Sequence, residues 1–152
     1  MVLLGSVTTI SVVMAPFFPG EKKLSKFHEV FAKVTLFDLT DVKRAYARKH
    51  GLTTEQVDQH EQELKRYLTL CIMYPEVCLG MFSLVDNLWH EFVCHTPKYR
   101  QFCESIAGRF LDHIPTGSDA AQPLSSSGPS PRQQTIALYE RHFGPMDRTL
   151  WR

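Results

Sequence analysis

The segment Val85-Asp86-Asn87-Leu88-Trp89-His90-Glu91-Phe92 gathers the residue types most able to do chemistry in this chain. If it is helical, Asp86 and His90 stand four residues apart, as do His90 and Cys94, so a carboxylate, an imidazole and a thiol line one ridge. A carboxylate bonded to an imidazole fixes its tautomer and makes the free nitrogen a better base or metal ligand. His90-Glu91 also has the look of a helical zinc protease motif, with His95 as the second histidine. That motif needs histidines four apart, and here they are five apart, which turns His95 about 140° from His90 at roughly 100° per residue. The protease reading fails. Zinc accepts mixed thiolate and imidazole ligands, so the candidate metal set is His90, Cys103 and His113, with Cys71, Cys78 and Cys94 as further donors. The competing reading is a buried cysteine acting as a small hydrophobe and a histidine pairing with Asp86 at the edge of the core. Asp86, Trp89 and Tyr99 are then structural: Trp89 anchors two helices while His90 bonds to Asp86 or Tyr99.

No other catalytic pattern accompanies these residues. Glycine-rich phosphate loops and a nucleophile elbow are absent, and no spacing singles out a Cys–His pair with Cys94 or Cys103. No catalytic residue is assigned, and whether the chain is an enzyme is left open.

The residues must be positioned by a helical scaffold. The chain has 152 residues, 43% of them hydrophobic and 22% charged, enough for one domain with a real core. Lys and Arg number 17 against 16 acidic residues, a near balance that argues against nucleic acid as a partner. Lys43, Arg44, Arg48, Lys49 and His50 form a local basic cluster, read as a solvated helix face. Four cysteines without a CxxC pair point to reduced thiols and a cytoplasmic setting rather than a disulfide scaffold.

Leu24, Phe27, Phe31, Val34 and Leu36 recur at helical spacing from about Glu21. Thr40 is placed to cap a short second helix that turns Val42, Ala45 and Tyr46 inward and ends at Gly51. Thr53 or Thr54 starts a long third helix over Glu55 to Met73, whose first half is polar and expected to project into solvent; Pro75 stops it. Ser83 is expected to cap the motif helix, Leu84 to His95, with Asp86 in the capping-box position. Thr96-Pro97 restarts the chain into a helix that reaches Ile106 and stops at Gly108. Residues 116–132, rich in Ser, Gly, Pro and Gln, read as a disordered linker, and 133–152 as a terminal helix docking on the core through Leu150 and Trp151. The expectation is an all-α, single-domain bundle of five to six helices, its core domain spanning 21–115.

Residues 1–20 form an apolar arm that is too short and interrupted for a membrane span and lacks the basic start of a signal peptide. An upstream extension preceding Met14, a short strand and a signal peptide are the three readings it allows. No membrane partner is expected.

The pattern Val85-Asp86, Leu88-Trp89-His90-Glu91-Phe92, Thr96, Tyr99, Phe102-Cys103, Gly108-Arg109-Phe110 and His113-Ile114-Pro115 resembles a motif in a group of small uncharacterised bacterial proteins. It is also similar to the helical region of glycine-rich domain-containing proteins, which read V-D-x-x-W-H-x-H, a tyrosine, then D-C. Asp86, Trp89, His90, Tyr99 and Cys103 match, across residues 63–115. Phe92 stands where that group has its second histidine, and Phe102 where it has the acidic residue. The resemblance implies that His90, Tyr99 and Cys103 work as a set, and it implies no activity.

Two functions follow as expectations. The first is a helical interaction or regulatory module with a protein partner, such as an accessory or inhibitor protein. The second is a metal-binding protein or metal-dependent enzyme, with zinc on His90, Cys103 and His113.

Overall fold

Six α-helices and one π-helical turn make up the domain in the computed structural model, which describes residues 19–113 and 128–152. The helices are α1 (Pro19–Leu36), α2 (Thr40–His50), α3 (Thr54–Met73), α4 (Asp86–Cys94), α5 (Thr96–Phe102) and α6 (Pro131–Phe143). Among the described residues no strand forms; Ser83 and Trp151 make one isolated antiparallel bridge. The all-α expectation holds. Residues 1–18 and 114–127, which carry most of the expected arm and linker, lie outside the described residues.

Helix α3 is the central element, packed against α1, α2, α4 and α6, with α4 also resting on α2 and α5. Its apolar stripe (Val57, Leu64, Tyr67, Leu68 and Leu70) is buried, as helical spacing requires. A capping box of Thr53 and Gln56 starts it, each side chain accepting from the other's backbone N–H. Helix α6 starts the same way on Ser130 and Gln133, so regular structure begins at Pro131, inside the segment expected to be linker. Helix α1 likewise begins at Pro19, inside the expected arm. Gly51 (φ 64°) and Gly108 (φ 68°) end α2 and the turn after α5 in the left-handed conformation that glycine adopts without strain.

Some expectations are corrected. Leu24 and Leu36 face outward, Leu36 with 84% exposure, because the buried face of α1 runs through Phe27, Val30 and Val34. Thr40 does not cap α2. Asp38 takes that part instead, accepting from the Thr40 N–H (3.0 Å) and hydroxyl (2.6 Å). The polar first half of α3 does not simply project into solvent, since Asp58 and Glu61 pair with Lys43 of α2. Lys65 is buried, donating to the Thr35 and Phe37 carbonyls at 2.8 and 2.9 Å and meeting Glu61 at 2.8 Å. Lys43 of the basic cluster bridges Asp58 and Glu61, each at 2.6 Å.

Two histidines, His60 buried and His142 half-buried, tie stability to pH. The His60 ring lies 2.9 Å from the Tyr46 hydroxyl, and His142 stacks on Phe27 with Nε2 2.7 Å from the Tyr74 hydroxyl. Burial lowers the pKa of both below the ordinary 6.5, helped by His50 for His60 and by Arg141, His28 and Lys23 for His142. The unfolded chain therefore binds more protons than the fold as the pH drops. Stability is complete above about pH 6.5 and declines as the pH falls below it. Melts at pH 7.5 and 5.5 should show a lower Tm at the acidic value, with a smaller difference in His142→Gln; equal Tm values would contradict this.

Candidate functional site

Helix α4 is short, and its N-terminus departs from the expected capping box. The Ser83 hydroxyl accepts from the Val85 N–H at 3.1 Å and donates to the Leu150 carbonyl at 2.7 Å. No side chain caps the helix. The Asp86 carboxylate, in the first turn, points instead to two imidazoles.

His113 Nε2 lies 2.7 Å from Asp86 Oδ1, and His90 Nδ1 lies 3.7 Å from Asp86 Oδ2. The His90 and His113 ring centroids are 4.2 Å apart. One ligand atom from each of Asp86, His90 and His113 falls within 4.8 Å of the other two. Two of the residues come from successive turns of α4. The third comes from the irregular return segment after Gly108, which brings Leu111 to the Tyr99 hydroxyl and His113 to Asp86 and Trp89.

Trp89 forms the inner wall. It is buried at 4% exposure, meets the His113 ring edge-on at 4.3 Å and meets Tyr67 at 5.4 Å. Its indole N–H donates to the Tyr99 hydroxyl at 3.3 Å, and that hydroxyl donates to the Leu111 carbonyl. Tyr99 thereby joins α5, α4 and the return segment, and Trp89 lies between Tyr67 of α3 and Tyr99 of α5. Burial raises the Tyr99 pKa, so the phenol stays protonated and keeps donating. His90 is bonded neither to Tyr99 nor within hydrogen-bond reach of Asp86; the close carboxylate contact belongs to His113. The side chains grade outward, from His113 at 7% exposure through Asp86 at 19% to His90 at 46%.

The residues expected to converge do so in part. His90 and His113 meet, and Asp86 takes the third place expected of Cys103. Cys103 is buried beside Tyr99, and with Arg100, Glu104, Gly108, Arg109 and Phe110 it borders a cavity of about 470 Å³. It opens the π-helical turn Cys103–Ala107, whose wider winding a sequence pattern does not reveal. Cys71, Cys78, Cys94 and Cys103 are all free thiols. Burial pushes the Cys71 thiol up to about 12, far from a reactive thiolate. His95 faces the Glu91 carbonyl, its Nδ1 at 2.8 Å, away from the cluster as helical geometry requires. The role of Asp86 was half visible in its spacing to His90, but the capping pattern around Ser83 pointed to the wrong partner.

A carboxylate and two imidazoles at this spacing are a donor set that zinc and ferrous iron accept. A family model matches residues 28–128, a span containing Asp86, His90, Trp89, Tyr99, Cys103 and His113. The chain belongs to the UCP032817-like family. No match is found among curated proteins or among solved structures. The UCP032817-like match ends before α6, so the helix and Trp151 that close the core lie beyond it. No helix among the described residues is long and apolar enough to cross a membrane.

Proposed function

We propose that this protein binds a single divalent transition metal ion, zinc in the first instance, through Asp86, His90 and His113. The observation that carries the reading is the approach of the three ligand atoms to within 4.8 Å of one another. The surroundings support it. Trp89 braces His113, and the Trp89–Tyr99–Leu111 bonds hold the return segment in place. Such outer support fixes ligand orientation in metal sites. The likeness to the glycine-rich domain-containing proteins, which groups His90 with Tyr99 and Cys103, brings no activity to this reading. For an interaction module with a protein partner, the described residues offer no side-chain cluster of this kind.

Calorimetric titration with Zn²⁺ separates this ligand set from the one containing Cys103. His90 is the most exposed of the three, so His90→Ala should keep the fold, checked by circular dichroism, and weaken zinc binding by more than about 100-fold. Cys103→Ser should bind as the parent does. Unchanged affinity in His90→Ala, or equal loss in Cys103→Ser, would contradict the assignment.

A further inference from the structure

We infer that the metal ion keeps a coordination position open to solvent and takes a small anionic ligand there; this rests on the metal-binding reading above. Three protein donors fall short of the four that a closed structural zinc site uses, and are the number found where zinc retains an exchangeable ligand. Among the described residues no further His, Cys, Asp or Glu joins the three at this spacing, and the aromatic side chains behind them are already bonded. Trp89 offers only an N–H, already committed to Tyr99, and the Tyr67 hydroxyl donates to the Leu79 carbonyl at 3.2 Å.

The outer side differs. Exposure rises from 7% at His113 to 46% at His90, so the ion is approached from solvent across the His90 ring while its back rests on the aromatic wall. Charge sets the class of ligand. A divalent ion held by one carboxylate and two neutral imidazoles retains a single positive charge, which favours an anion over a neutral donor. The exchange is simple: bound water leaves, the anion donates a lone pair to the metal, and no protein bond is made or broken.

Cobalt makes this visible. The wild-type protein is loaded with Co²⁺ and titrated with sodium azide while the visible d–d bands are followed. The expected result is a saturable change in band position and intensity with a single binding isotherm. A fully bound Co²⁺ spectrum that azide leaves unchanged would overturn the open position while leaving metal binding intact. Failure to bind Co²⁺ at all, or equal Co²⁺ binding in His90→Ala, would defeat the metal-binding reading and this inference with it.

Discussion

Replacing Trp89 with alanine should cost about 3–5 kcal/mol of stability, the range for emptying a buried aromatic site. Trp89 touches Tyr67 and His113, donates to Tyr99 and is almost wholly buried, so truncation leaves a cavity where three segments meet. In a domain of this size that corresponds to a fall in Tm of roughly 6–20 °C. Trp89→Phe fills most of the volume and loses only the indole N–H, so its cost should be nearer about 1–3 kcal/mol, much of it from the Tyr99 hydroxyl left short of a donor. Denaturant unfolding of both variants checks the pair. Near-parental stability of Trp89→Ala would show that α4, α5 and the return segment do not depend on this anchor.

Glu63 should rank beside it. Its carboxylate is buried within α3 and accepts from the Tyr139 hydroxyl at 2.6 Å, the Trp151 indole at 2.7 Å and the Arg66 guanidinium at 2.7 Å. Arg66 also donates to the Tyr139 hydroxyl at 2.8 Å, so the four groups form one closed network. Both carboxylate oxygens accept hydrogen bonds, and such pairing is the condition under which a charge can be kept away from water. Glu63→Ala strands the indole N–H, the phenol and the guanidinium together, with an expected cost of about 3–5 kcal/mol. Since Tyr139 and Trp151 close the core from beyond residue 128, the first consequence should be release of α6 and the chain end. Amide exchange would show this as faster exchange across Ser130–Phe143 than in α3. Glu63→Gln keeps one acceptor oxygen and should lose less. Protection of α6 unchanged in Glu63→Ala would mean that the clamp is incidental.

These two sites also mark what could be read from the chain without its fold. Trp89 was legible because an indole on an apolar stripe at helical spacing is a core residue whatever packs against it. The caps at Thr53 and the stop at Gly108 were legible for a similar reason, since they depend only on neighbours in sequence. Glu63 was not. It sits among glutamines, glutamates and lysines that read as a solvated face, and its partners Tyr139 and Trp151 come from α6 and the segment after it, at the other end of the chain. Lys65 was hidden in the same way, because backbone carbonyls at Thr35 and Phe37, where α1 ends, cannot be seen as partners in a pattern of side chains.

The candidate site was legible to the same depth. Asp86 and His90 belong to one helix, and their four-residue spacing is local information. His113 entered the set as a bare donor type, and its approach depends on how the chain turns at Gly108 and returns along Trp89. Cys103 was misplaced by the same turn. On a regular helix running to Ile106 nothing marks it as a neighbour of Tyr99 outside the cluster, and the π-helical winding from Cys103 to Ala107 has no signature in a sequence pattern. The proposed site has a carboxylate in place of the expected thiolate. That shifts the donor set from the thiolate-rich kind seen in structural zinc sites toward the imidazole–carboxylate kind seen where the metal keeps a free position.

The most direct measurement is the metal content of protein purified from its natural host without chelators, by elemental mass spectrometry against protein concentration. The account predicts about one equivalent of a single transition metal, lost in His90→Ala expressed and purified the same way. Less than about a tenth of an equivalent in the parent protein would contradict it.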